Sequence, residues 1–207
     1  PRGPASCPRC ALDRSSRHAS LDEEQFVGLY PYLPYQVDLC IDIVAGLRLK
    51  RGAQRHIGGS NRTIIKQAQQ MLIHPRTNLA GEPVGALVTM DRVYELLYLG
   101  NLLPTEVTRE VDEVPKRLPG NDLAWKVARA IALLEAVKDL PRTPQNIAVT
   151  LWPGVASQGL GESVREALKA LERAQFVRES DEGYKLLTVQ EKTWETTRQG
   201  LAPKPAD

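Results

Sequence analysis

The stretch DLAWKVARAIALLEAVKDLPRTPQNIAVTLWPGVASQGLGESVREALKALERAQFVRESDEGYKLLT, residues 122–188, decides the fold class. Asp122 reads as a helix cap, with Val127, Ile131, Leu134 and Val137 on one side of the helix that follows. Thr143-Pro144 is a helix start, a capping hydroxyl followed by the residue best suited to the first helical position. That second helix gathers Ile147, Ala148, Leu151 and Trp152, and Pro153-Gly154 stops it. Gly161-Glu-Ser163 opens a third helix with Val164, Leu168 and Leu171 inward. Phe176-Val177-Arg178, the turn Asp181-Glu-Gly183 and Tyr184 to Thr188 then read as a hairpin, with a final helix from Val189 to Gln199. Three helices followed by a hairpin is the winged helix-turn-helix order, preferred here over a three-helix domain with an incidental hairpin.

Upstream, the chain reads as helical. Ser20 with Glu23 and Glu24 marks a helix start. Tyr30-Pro-Tyr-Leu-Pro34 reads as a rigid extended connector, because each residue before a proline is pushed out of the helical region. Val37, Cys40, Ile41, Val44 and Leu47 then share a helical face. Gly52 to Gly59 reads as a basic loop, with Ser60 or Asn61 capping a helix whose apolar face is Ile64, Ala68, Met71 and Leu72. His74-Pro75 ends it. Val84 to Thr89 is a short strand or extended segment, and Asp91 caps a helix with Val93, Leu96 and Leu97 inward. The prolines at 104, 115 and 119 mark residues 104–120 as a connection.

The expected organisation is therefore mainly α with a small β-hairpin. Residues 1–20 form a disordered or linker segment, 21–103 a helical domain, 104–120 a linker, 121–199 the winged helix-turn-helix domain and 200–207 a tail. No apolar run reaches the length of a membrane span and no secretory signal opens the chain. Three cysteines cannot all pair, so the expected location is cytoplasmic. The opening at Pro1 suggests a piece of a longer protein.

Charge is uneven along the chain. Between residues 47 and 76 lie Arg48, Lys50, Arg51, Arg55, Arg62, Lys66 and Arg76, with no acidic residue among them. If the chain meets an anion, this segment is the expected place. Gly58 and Gly59 let backbone approach a ligand closely, Ser60 and Asn61 stand at a helix start whose amides favour negative charge, and Arg62 adds a cation. The plainer reading is a solvated basic loop. No G-x-x-x-x-G-K-[ST] occurs, so the chain is expected to hydrolyse no nucleotide unaided. On the third helix of the terminal module, Ser163, Arg165 and Lys169, with Lys185 on the hairpin, are the candidate DNA contacts. Glu162, Glu166 and Glu172 cancel the charge of that helix, which favours protein docking over DNA. Cys7-Pro-Arg-Cys10 supplies half of a four-ligand zinc set, so no metal site is expected. His56 and His74 have no partner at a catalytic spacing, and no catalytic residue is expected.

The block EQFVGLYPYLPYQVDL, residues 24–39, resembles the "YPFLPYQ" block of the large ATPase components of bacterial phage-defence systems, the BrxC/PglY proteins of bacteriophage exclusion (BREX) and phage growth limitation. The loop-and-helix His56 to Ile65, the segment Val84 to Tyr94, the terminal module and Tyr184-Lys-Leu-Leu-Thr-Val-Gln-Glu191 are similar to that family in the same order. The likeness spans about residues 22–199. It implies an AAA+ lid-like helical domain ahead of the winged helix, in a parent protein that binds ATP and Mg through a phosphate-binding loop outside this chain. It also implies that Arg62 reaches nucleotide phosphates. The implied partners are the rest of the parent ATPase, other components of the defence system, DNA, and further copies through the parent. The alternative is a stand-alone DNA-binding regulator of transcription.

Overall fold

The computed structural model describes residues 11–15, 17, 23–50 and 57–200. It is mainly helical with one small antiparallel sheet. In chain order come α1 (Glu23–Leu29), α2 (Pro34–Lys50), α3 (Ile57–Ile73), a 3-10 turn at Leu79–Gly81, α4 (Met90–Leu99), α5 (Thr105–Arg117) and α6 (Asp122–Leu134). They are followed by α7 (Pro144–Thr150), α8 (Gly161–Arg173), β1 (Val177–Ser180), β2 (Gly183–Leu186) and α9 (Val189–Gly200). Among the described residues no helix is long and apolar enough to cross a membrane.

Helix α6 is the axis of the core. Its sequence is rich in Ala and Leu and apolar on more than one face, the pattern of a helix covered from several sides. It packs against α4, α5, α8 and β2. Ala124, Val127, Ala128, Ala130, Ile131, Leu133 and Leu134 are fully buried. Asn121, rather than Asp122, is its cap: the Asn121 side chain accepts from the Ala124 amide at 3.0 Å. The expected cap at Thr143 is present, its hydroxyl accepting from the Asn146 amide at 3.2 Å with Pro144 at the first helical position.

Residues 104–120, read as a connection, hold α5. Pro104 stands at its cap and Pro115 lies inside it. Pro115 removes one backbone donor near the C-terminal end, where the helix has only two residues left to run. Burial of Val111 and Val114, both fully covered, outweighs that loss.

Three other expectations shift. The Tyr30–Pro34 connector is a turn with a cis peptide at Tyr30-Pro31, not an extended strut. On α2 the most deeply buried residues are Leu39 and Ile43, one step round from the expected Val37 and Ile41; Cys40, Val44 and Leu47 are buried as expected. Burial pushes the Cys40 thiol up to about 12, so this cysteine is an apolar core residue. The cap of α4 is Thr89, with Asp91 in the first turn; Val93, Leu96 and Leu97 are inward as expected.

The proline-tyrosine block is a structural joint. Buried Gln36 donates to the Val88 carbonyl at 2.9 Å and accepts from the Leu33 amide at 2.9 Å. Of the expected segment Val84 to Thr89, Val84 and Gly85 form a turn closed by the Ala86 amide donating to the Pro83 carbonyl at 3.1 Å, and Ala86 to Thr89 runs on without forming a ladder strand. The Leu87 amide donates to Pro153 at 2.9 Å and the Val88 amide to Pro31 at 3.1 Å, while Ala86 bridges Gly154. This segment thus pairs with the α1–α2 turn on one side and the α7–α8 connection on the other. Within α2, a Cβ on Gly46 would lie 2.5 Å from the Ala136 carbonyl oxygen, so glycine there lets α2 approach the end of α6.

Candidate functional site

Two surfaces carry the residues singled out in the sequence. The first is the exposed face of α8. Val164, Ala167, Leu168 and Leu171 face the core, leaving Glu162, Ser163, Arg165, Glu166, Lys169, Glu172 and Arg173 exposed. The three cations and three anions balance. Arg165 is further committed to Glu162 at 2.8 Å. Lys185, on β2, pairs with Glu191 at the start of α9, which also draws Arg178 at 3.4 Å. Of the four candidate DNA contacts, Ser163, Arg165 and Lys169 share α8, while the cation of Lys185 is already paired.

Glu191 closes a capping box. Its carboxylate accepts from the Thr188 amide at 2.9 Å and hydroxyl at 3.1 Å, while the Thr188 hydroxyl accepts from the Glu191 amide at 3.2 Å. Burial opposes its ionisation, yet the hydrogen bonds from Lys185 and Thr188 outweigh that and hold its pKa down at about 2. A carboxylate lowered in the folded state contributes stability above its ordinary value and loses it as pH falls toward the folded one. Acid titration from pH 5 to pH 2, read by Trp194 fluorescence on α9, is therefore expected to release α9 in the native chain. In Glu191→Gln the same transition should flatten.

The hairpin carries a feature that the sequence reading missed. Arg142, between α6 and α7, makes an isolated parallel bridge to Gly183 of β2: its amide donates to the Glu182 carbonyl at 2.8 Å and its carbonyl accepts from the Tyr184 amide at 3.0 Å. Its buried guanidinium donates from Nε to the Tyr184 carbonyl at 2.7 Å and from Nη2 to Glu182 at 3.2 Å. The only local signal is an arginine between two prolines in Leu140-Pro-Arg-Thr-Pro144, which marks an extended stretch without revealing its partner. The Leu186 amide, also on β2, donates to the Glu135 carboxylate at 2.7 Å.

The second surface is the start of α3. The helix begins at Ile57, so Gly58, Gly59, Ser60, Asn61 and Arg62 lie within its first turns rather than in a loop with Ser60 or Asn61 as cap. Burying the row Ile64, Ala68, Met71 and Leu72, partly or fully, favours extending the helix upstream of the glycines despite their low propensity. First-turn amides, those of Gly58 and Gly59 included, have no intrahelical acceptor. The side chains of residues 57–63, and Cys7, Cys10, Arg51, Arg55 and His56 altogether, lie outside the described residues.

A third cluster was not anticipated. Arg129 on α6 stacks over the Trp125 ring at 3.7 Å and the Tyr94 ring at 5.3 Å, and pairs with Glu95 of α4 at 3.0 Å. Arg76 reaches the other oxygen of Glu95 at 2.7 Å. Arg76, Glu95, Trp125 and Arg129, with Asp112 of α5, border a cavity of about 490 Å³. Burial raises the Asp112 pKa, and Arg129 opposes that rise. The cluster joins α4 to α6 through charge balance and stacking. Among the described residues no group of three or more His, Cys, Asp or Glu side chains could hold a metal ion.

No protein-family model matches the chain, and no solved structure matches it.

Proposed function

We propose that this chain is a non-catalytic docking piece of a large ATPase of the phage-defence type, comprising a helical lid-like region and a winged-helix module. One arrangement supports the reading: Arg142, between the first two helices, makes a single parallel bridge to Gly183 at the edge of a two-stranded hairpin that follows three helices, and the exposed face of the third helix is charge-balanced. Three helices followed by a hairpin is the winged-helix order, and a backbone bridge from the first interhelical connection to the hairpin is a contact that an incidental hairpin would not need. Affinity for duplex DNA comes largely from neutralising phosphates. A balanced helix, with Arg165 and Lys185 already paired, favours a protein partner over a stand-alone regulator reading DNA.

The lid reading draws on the resemblance of residues 24–39 and on the α3 start. Gly58 and Gly59 stand in the first turn, where amides have no intrahelical acceptor and favour a phosphate, and Ser60, Asn61 and Arg62 follow them in sequence. The triphosphate and its Mg would be held by the phosphate-binding part of the parent protein, since no such motif occurs here. In the intact ATPase, Arg62→Ala is expected to lower ATP turnover without unfolding the chain. Unchanged nucleotide binding and turnover would remove the lid assignment.

A further inference from the structure

The residues ahead of α1 include a segment that is held at two separate points. Asp13 presents its peptide group to Asn146, whose carboxamide accepts from the Asp13 amide at 2.7 Å and donates to the Asp13 carbonyl at 2.9 Å. Asn146 is fully buried and also donates to the Pro141 carbonyl at 2.7 Å, which fixes the orientation of its amide. Four residues on, the Arg17 guanidinium forks between two carboxylates. It reaches Asp139 through Nε at 3.1 Å and Nη2 at 2.8 Å, and Asp42 of α2 through the same Nη2. The Arg17 side chain is 12% exposed although both carboxylates are about half exposed, so the arginine is seated and the acids form its rim. Hydrogen bonds from Arg17 lower the Asp139 pKa. The segment read from its composition as disordered is therefore docked at residues 11–15 and 17.

The two anchor points belong to distant parts of the chain. Asp42 lies on α2, whereas Asp139 lies in the connection from α6 into α7 and Asn146 in the first turn of α7. Recognition of a backbone by a buried carboxamide, combined with a forked guanidinium between two carboxylates, is the chemistry of peptide binding rather than of a surface ion pair. A cavity of about 580 Å³, lined by Gln25, Tyr35, Asp38 and Ile41, opens beside Arg17, so the arginine sits at the edge of free space.

We propose that Asn146, Asp139 and Asp42 form a two-point receptor for an arginine-bearing peptide, filled in this chain by its own Asp13 and Arg17, which act as a releasable clasp between α2 and the α6–α7 connection. The clasp does not depend on the phage-defence assignment. Because the segment is tethered, its local concentration is high and weak contacts suffice to hold it; a competing peptide needs the same pairing of backbone and arginine.

Hydrogen exchange at the Asp13 amide reads the clasp directly, since that amide donates to Asn146. In the full chain, Arg17→Ala is expected to speed its exchange by about tenfold or more, from loss of the charge-assisted bonds. Asp42→Asn combined with Asp139→Asn should have the same effect, and adding Arg17→Ala to that pair should change nothing further. Arg17→Lys should fall between. A synthetic peptide of residues 11–17 should bind one-to-one to the chain carrying Asp13→Pro and Arg17→Ala, whose own segment no longer fills the site. The same peptide with alanine for its last arginine should not bind. Exchange at Asp13 that ignores Arg17, or no peptide binding at millimolar concentration, or binding indifferent to the arginine, would each overturn the proposal. Unchanged exchange at core amides of α6 establishes that the variants remain folded.

Discussion

Gly183→Ala is expected to destabilise the chain by about 3 kcal/mol, combining left-handed backbone strain with overpacking. Gly183 has φ +88°, and a Cβ there would collide with the backbone of Arg142. Neither side can yield cheaply. Arg142 is held by two backbone bonds to the hairpin turn and strand, and its guanidinium is bonded as well. In a chain of this size the loss corresponds to a fall of about 6–12 °C in the melting midpoint. Exchange of the Arg142 and Tyr184 amides should rise with it. Gly161→Ala provides the contrast: its Cβ would meet nothing within 4 Å, and the residue opens α8. That change should stay within about 1 kcal/mol and tend toward stabilisation, because alanine is the better helix former. Equal effects at the two glycines would mean that the Arg142 bridge contributes nothing to the hairpin.

The second large effect is expected at Arg129. Its side chain is 13% exposed, as is that of Glu95, so the pair is mostly out of water. Arg129→Ala leaves Glu95 with the exposed Arg76 alone and strips a cation from between Trp125 and Tyr94. Breaking a pair of this kind costs about 3 kcal/mol. Arg129→Lys keeps the charge but not the flat stacking surface, so about half that loss is expected. Chemical denaturation followed by tryptophan fluorescence measures both. An Arg129→Ala chain as stable as the native one would mean that α4 and α6 hold together through their apolar contacts alone.

The C-terminal elements were legible because their signals are local. Thr143-Pro144 fixes one helix start, and the rows Val127, Ile131, Leu134 and Val164, Leu168, Leu171 fix two buried faces. The segment carrying α5 was misread because prolines at 104, 115 and 119 dominate its composition, while the burial that overrides Pro115 depends on α6, which no local pattern reports. The face of α2 slipped by one position because this helix is apolar almost all round, with Val37, Ile41 and Leu49 beside the buried set. Long-range polar contacts were invisible for the same reason. Gln36 to Val88, Arg142 to Tyr184 and Asp13 to Asn146 join residues whose pairing only the folded chain defines. Ser163, Arg165 and Lys169 were legible as exposed residues of α8, but the half-burial of Lys185 and its pairing with Glu191 were not.

The most direct test of the docking assignment is titration of duplex DNA against the full chain at low and moderate salt. A charge-balanced α8 with paired Arg165 and Lys185 predicts no complex at micromolar protein at either salt concentration. A complex with sequence preference, weakening steeply as salt rises, would contradict the account and favour a DNA-binding regulator.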